Sequence, residues 1–497
     1  MDAFQNEIIK RILDHYRKIY STEYAQRVLK WDMETYMPKE GIQERSVAQG
    51  ELSVLSQSLL LEPKFLDLVE RAEEEELNEY EKGVIRVLKR NIRIAKAFPP
   101  EFVKEISETS SKSTMAWVEA KQKDDFRIFE PYLDKIMDLS KRAAEYLGYD
   151  EYPYDALLDL YEEGLRTRDC EKIFTYLEKE IKPIADKIIG SERFSGGHPL
   201  EKEKYDRKIM EAINLEILEI LGYPTGIRGR LDVSPHPFTM KFGINDVRIT
   251  TRYEGFDFKR TLLAVVHEFG HALYELQVDE RFMFSPISSG VSLGIHESQS
   301  RFWENIVGRS MEFAEFIYPI LREKLALNGY TAEDIYSYFN VVRPDFIRVE
   351  ADEVTYNLHI ILRYKLEKLM INDGVKASDL VELWNDEIEG LLGIRPKRYA
   401  EGVLQDIHWA YGYIGYFPTY TLGTLLAAQI RHHVLREIPD FYEKVARGDF
   451  EDVKAYLKEN VHRYGSMYAP KDLLRKSFGE EMNPKYFVDY IREKYPG

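Results

Sequence analysis

Apolar residues recur at three- and four-residue spacing through most of this chain, with charges between them. That period marks helices with one buried face. The spacing predicts helices over 5–30, 64–95, 100–122, 126–147, 168–190 and 199–221, and again over 260–279, 296–328, 345–372, 378–392 and 440–458. The punctuation is short: Pro99-Pro100, Gly196-Gly197 and Pro224-Thr225-Gly226. No Ser/Gly linker, low-complexity run or repeat separates the segments. The pattern predicts a mainly α fold built as a single domain over 1–497, with two helical lobes around a cleft as its elaboration, rather than beads on a string.

One stretch breaks the helical period. His236-Pro237-Phe238-Thr239-Met240 and Val247 to Tyr253 have β-type content and alternation, and Gly243-Ile244-Asn245-Asp246 between them reads as a turn. A small sheet is expected there, just before the helix at 260–279. Its edge could hold an extended peptide by main-chain pairing.

Composition narrows the classes. With 44% hydrophobic and 31% charged residues the chain can bury a large core and stay soluble. A net charge of −17 disfavours nucleic acid and anionic membrane surfaces as partners. The single cysteine, Cys170, excludes an internal disulfide framework and a cysteine-based metal site. The opening run Met1-Asp2-Ala3-Phe4-Gln5-Asn6-Glu7 has neither the basic nor the apolar region of a signal peptide. No window holds the roughly 18 apolar residues of a membrane-spanning helix. These features together set the cytoplasm as the expected location. The Lys/Glu-rich, Cys-poor makeup fits a thermophile.

The chemistry concentrates at His267-Glu268-Phe269-Gly270-His271, which continues the apolar run Leu262-Leu263-Ala264-Val265-Val266. Positions i and i+4 of a helix lie one turn apart on the same face, so both imidazoles can reach one Zn²⁺ or Co²⁺. Glu268 sits beside that face, within reach of a water on the ion. Two histidines and a glutamate in an apolar helix are costly to bury without a partner, and a metal removes the cost. A third protein ligand is still needed. Glu297 lies in Gly294-Ile295-His296-Glu297-Ser298-Gln299, far enough on for a second helix to return. Spacing alone leaves Glu297 level with its rivals Glu275, Asp279 and Glu304. Glu275 falls on the histidines' own helix, where the geometry is poor. Gln277 stands where a metzincin would carry its third histidine, which removes that class.

Further motifs follow in order: His236-Pro237-Phe238, Asp246-Val247-Arg248-Ile249-Thr250, His267 to His271, and His296-Glu297-Ser298-Gln299. Then come Ile347-Arg348-Val349-Glu350-Ala351-Asp352 and Gly402-Val403-Leu404-Gln405-Asp406-Ile407-His408-Trp409, with Trp31 to Pro38 ahead of them all. In this series the chain resembles the carboxypeptidase Taq family of thermostable metallocarboxypeptidases. The resemblance implies His267, His271 and Glu297 as metal ligands and Glu268 as catalytic acid/base. It implies a large, helical, saddle-like body with a deep groove, similar to neurolysin and angiotensin-converting enzyme. It also implies a homodimer, one Zn²⁺ or Co²⁺ per subunit, and broad removal of C-terminal residues with poor action on Pro.

The residues suggest how such a site would work. A bound ion lowers the pKa of its water to about 7. Glu268 would take a proton from that water as it attacks the scissile carbonyl, and pass it to the leaving amine. The developing oxyanion needs donors besides the ion. His236, His408 and Tyr420 are candidates, each in a stretch dense with aromatics, although a lone His or Tyr more often makes a structural hydrogen bond. A free α-carboxylate on the substrate calls for arginine, whose planar fork matches two oxygens. Arg348 and Arg248 are the candidates, against the ordinary reading of each as an ion pair. Asp246, Arg248 and Thr250 would share one strand face, and Arg348 and Asp352 would be one helical turn apart. Three other readings compete: an oligopeptidase or dipeptidyl carboxypeptidase on the same metal core, a carboxylate-bridged di-iron protein, and a helical scaffold with an incidental metal. A di-iron site needs a second Glu-x-x-His, which the chain lacks, and a scaffold would leave Glu268 without a task.

Overall fold

The computed structural model describes residues 3–190 and 194–496; Met1 and Asp2 of the opening run lie outside them. Helix dominates, and no helix of the described residues is long and apolar enough to cross a membrane. The chain packs into two compact units. One gathers residues up to 96 with 198–339 and 430–481; the other gathers 97–197, 340–429 and the residues from 482 onward.

The first unit opens with the helix Glu7–Thr35, whose N-cap Asn6 accepts from the Ile8 and Ile9 amides. Its buried face, Ile9, Ile12, Tyr16 and Ile19, joins a core cluster with Phe65, Val69, Val84 and Leu88. The helix expected over 64–95 is two helices, Pro63–Ala72 and Glu79–Ala97. The second starts where the Asn78 side chain accepts from the Tyr80 and Glu81 amides.

The sheet of this unit has three strands: β1 (Leu231–Val233), β2 (Thr239–Gly243) and β3 (Asp246–Thr251). Their order is β1-β3-β2, with β1 parallel and β2 antiparallel to β3. The hairpin read from the sequence is β2–β3, but β2 begins at Thr239 rather than His236. Pro237 has no amide proton to give a ladder, and the Phe238 amide goes to the Thr250 hydroxyl.

The helix Phe258–Leu276 lies against this sheet and is buried on nearly every side. Opposite the sheet it meets the helix Leu293–Arg301. The two backbones touch at Gly270, where a Cβ would stand 2.5 Å from the Gln299 carbonyl oxygen. Only glycine permits that approach. The expected helix 296–328 is interrupted. After Arg301 the chain makes a π-helical turn, Phe302–Val307, and a new helix, Met311–Lys324, starts at the Ser310 cap. π-Helical turns concentrate at functional sites.

In the second unit, the helices Pro100–Lys123, Glu130–Leu147, Thr167–Ile189 and Leu380–Leu392 lie where the period places them. The helix expected from 345 begins only at Tyr356. The Asp352 carboxylate stops it from starting earlier, accepting from the amides of Val354, Thr355 and Arg343 and from the Thr355 hydroxyl. Arg348 therefore lies in a short 3₁₀ turn, Arg348–Glu350, and the helical Arg348–Asp352 pair does not form.

Candidate metal centre

Buried side chains of Val265, Val266, Phe269, Ala272 and Leu273 fix the rotation of the helix Phe258–Leu276. That rotation leaves His267 and His271 together on its less buried face. The Gly270 contact brings Leu293–Arg301 close enough for Glu297 to complete a group of three. His271 Nε2 is 3.4 Å and His267 Nε2 3.7 Å from Glu297 Oε2. Around a tetrahedral ion with bonds of about 2.0–2.2 Å, ligand atoms stand roughly 3.4 Å apart. Two imidazole nitrogens and one carboxylate oxygen at this spacing fit a divalent metal.

The remaining polar atoms of these three residues are already paired. Glu297 Oε1 accepts from Arg301 Nε at 2.7 Å, and Ser300 Oγ donates to Oε2 at 3.1 Å. Burial would raise the Glu297 carboxyl, but Arg301 and the two histidines hold it well below the usual carboxylate range. His267 Nδ1 meets Glu304 Oε2 at 2.8 Å. Glu304 lies in the π-helical turn and also accepts from Arg301 at 3.2 Å and Arg309 at 3.3 Å. His271 Nδ1 meets His296 Nδ1 at 2.6 Å, and His296 Nε2 meets Glu275 Oε1 at 2.9 Å. Two of the rival third ligands, Glu275 and Glu304, are thus engaged behind the histidines, and Asp279 accepts from Arg281.

Glu268 is buried beside the trio, and its Oε2 accepts from the Thr239 hydroxyl at 2.6 Å. Burial pushes its carboxyl above the ordinary value. Strand β2 thereby orients this carboxylate, a role for Thr239 that the sequence did not signal.

The remaining candidates fall into two groups. His236 is exposed in the loop between β1 and β2, and the Ser234 hydroxyl donates to its carbonyl oxygen. Arg248 on β3 makes a two-pronged pair with Asp246, at 2.8 and 2.7 Å, and its guanidinium lies over the Phe242 ring at 4.1 Å. Arg348, His408 and Tyr420 belong to the second unit and come together there. Arg348 Nη2 donates to Asp406 Oδ1 at 2.8 Å and Nη1 to the Tyr356 hydroxyl at 2.8 Å, with the guanidinium 5.0 Å from the Tyr420 ring centre. Arg363 Nε donates to the other Asp406 oxygen at 2.7 Å. His408 Nε2 is 3.2 Å from the Tyr420 hydroxyl. Burial and the two arginines hold His408 down at about 4, against the pull of Asp406, so it is neutral at pH 7. Asp406 lies within the Gly402 to Trp409 motif, two residues before His408, while Arg363 lies in the helix Tyr356–Lys368, where nothing in the spacing marks it as a partner of Asp406.

Comparison with known proteins adds an independent line. The model of the carboxypeptidase Taq (M32) metallopeptidase family matches residues 11–495. Thermostable carboxypeptidase 1 of Pyrococcus furiosus is 66% identical over 99% of this chain and 99% of its own. Carboxypeptidase 1 of Bacillus subtilis is 37% identical over 98% of this chain and 97% of its own. A solved structure described as Pyrococcus furiosus carboxypeptidase Apo-Mg superposes with a TM-score of 0.98 at 66% identity, covering 99% of this chain and 100% of that one.

Proposed function

The chain belongs to the carboxypeptidase Taq (M32) metallopeptidase family, and from that premise we propose how this metal-dependent carboxypeptidase works. The reading is removal of single residues from the free C-terminus of peptides, with broad side-chain tolerance and poor action on C-terminal Pro. His267, His271 and Glu297 hold one divalent ion, Zn²⁺ or Co²⁺. When bound, that ion supplies Lewis acidity, polarising the scissile carbonyl and lowering the pKa of water.

The observation that carries the mechanism is Glu268, a buried carboxylate beside the trio and tied to Thr239 at 2.6 Å. Glu268 takes a proton from the attacking water and delivers it to the departing amine. The Thr239 hydroxyl keeps one carboxylate oxygen fixed and leaves the other to the proton. Chain-end recognition falls to Arg348. Arg348 and Arg363 share the single carboxylate of Asp406, with His408 neutral, so this cluster holds a surplus positive charge. A substrate carboxylate answers that charge. Arg248 pairs with Asp246 on its own strand and lies over Phe242 of β2, which favours a supporting role: it braces the hairpin that carries Thr239. His236, His408 and Tyr420 are the proposed oxyanion donors. His408 and Tyr420 act as a pair through their mutual hydrogen bond. A cytoplasmic homodimer is part of the same reading, and the name of the Pyrococcus relative supports thermostability.

Product analysis by mass spectrometry tests the reading. Chelator-stripped enzyme is incubated with a free-acid peptide and its C-terminal amide, with and without Zn²⁺ or Co²⁺. Stepwise loss of single residues from the free acid alone, and only with metal, is expected. Release of pairs, internal cuts or equal cleavage of the amide would move the assignment to an oligopeptidase.

A further inference from the structure

We propose that Glu275 and His296 are positioning residues that fix the ring tautomer of His271, through a relay of one carboxylate and a second imidazole. The inference rests on the reading of His267, His271 and Glu297 as metal ligands.

Glu275 is the fixed end of the relay. Its Oε1 receives Ser289 Oγ at 2.7 Å, the Gly290 amide at 3.1 Å and His296 Nε2 at 2.9 Å. Its Oε2 receives Lys241 Nζ from β2 at 2.7 Å. An ionised carboxylate only accepts, so the His296 proton sits on Nε2. A neutral imidazole carries one N–H, which leaves His296 Nδ1 as an acceptor. His271 Nδ1, 2.6 Å away, must then be the donor. Its own remaining nitrogen, Nε2, is left as a bare lone pair 3.4 Å from Glu297 Oε2, where a metal needs it. The reverse assignment fails at both ends. It sets two acceptors face to face at Glu275 and puts a proton on His271 Nε2.

The ring of His296 has little room to adopt another pose. A Cβ on Gly290 would stand 2.8 Å from His296 Cδ2 and 2.7 Å from the Tyr274 ring, whose centre lies 5.1 Å from that of His296. His267 is set differently, by Glu304 acting directly on Nδ1. The two metal-facing histidines therefore share an outcome but not a mechanism. Loss of such an outer partner typically costs roughly 10–100-fold in metal affinity.

Zn²⁺ affinity, measured by competition with a chromogenic chelator, distinguishes the relay from mere packing. His296→Leu removes the acceptor and is expected to weaken Zn²⁺ binding roughly 10–100-fold. His296→Gln offers a carbonyl oxygen to His271 and an amide proton to Glu275, and is expected to stay within a few fold of wild type. Wild-type affinity in His296→Leu, or an equal loss in both variants, would overturn the proposal. A second measurement needs no variant. ¹⁵N spectra of the histidine rings in Zn²⁺-loaded wild type should show the proton on Nδ1 of His271 and on Nε2 of His296, and the opposite pattern refutes the relay. Failure of the underlying reading shows separately, as full Zn²⁺ affinity in His267→Ala and Glu297→Ala.

Discussion

Gly270→Ala probes the closest backbone approach at the site. The added Cβ would stand 2.5 Å from the Gln299 carbonyl oxygen, 2.6 Å from Ser300 Cα and 2.9 Å from the Gln299 carbonyl carbon. All three are backbone atoms, so no side chain can swing aside. Restoring an ordinary separation of about 3.5 Å requires the helix Leu293–Arg301 to retreat by roughly 1 Å. Glu297 travels with it, and its distances to the two histidines, now 3.4 and 3.7 Å, widen past what bonds of about 2.0–2.2 Å can bridge. Overpacking costs about 1–3 kcal/mol, while alanine returns up to about 1 kcal/mol of helix propensity. The variant should therefore fold, with a modest fall in melting temperature. A 1 Å misplacement costs about a hundredfold in rate. The expected result is folded protein by circular dichroism, Zn²⁺ affinity reduced at least tenfold, and kcat/KM down about a hundredfold. Wild-type affinity and kcat/KM in a folded variant would show that the glycine does not set the ligand spacing.

Other substitutions separate the remaining roles. Glu268→Gln should keep Zn²⁺ affinity by chelator competition while kcat falls roughly 10²–10⁴-fold; a variant at half the wild-type kcat would remove Glu268 as the base. Arg348→Ala should lose about 1.5–3 kcal/mol of transition-state binding on free-acid peptides, and an unchanged kcat/KM takes Arg348 out of recognition. Glu367 gives a pH test of stability in the second unit. Burial pushes its carboxyl up to about 7, against the donors Tyr154, Trp409 and Gly415. A carboxyl raised in the folded state contributes its stability below the unfolded pKa of about 4.3, and loses it as pH rises through the folded value. Wild type should therefore lose about 3 kcal/mol between pH 4 and 8 relative to Glu367→Gln, read from denaturant unfolding; parallel pH profiles would refute the shift.

What could be read from the sequence depended on whether a residue's task was local. His267 and His271 were visible because their spacing is the helix period itself. Glu297 was not separable from Glu275 and Glu304 by spacing, since all three lie near the histidines and differ only in which atom they face. The helix Ile42–Leu60 escaped notice because none of its residues is buried, so it carries no apolar stripe to read. The segment 421–430 is buried throughout, and with Thr421, Thr424 and Gln429 buried beside its apolar residues it has no polar face to mark the period. Arg348 was assigned a partner four residues away, yet its carboxylate is Asp406, brought in by tertiary packing. The π-helical turn that carries Glu304 had no signal in composition at all.

The metal centre is also a matter of chain order. Thr239, Lys241, Glu275, Ser289, His296, Arg301, Glu304 and Arg309 all lie in one continuous run with the ligands, although their unit is assembled from three separate stretches. On a ribosome this run is complete before any residue past 309 exists. The loops that must close to form the centre are short, so the entropy they surrender is small and their closure fast. On the proposed ligand set, an ion could therefore be captured before 430–481 arrives, and it would act in folding as an early cross-link rather than a late passenger.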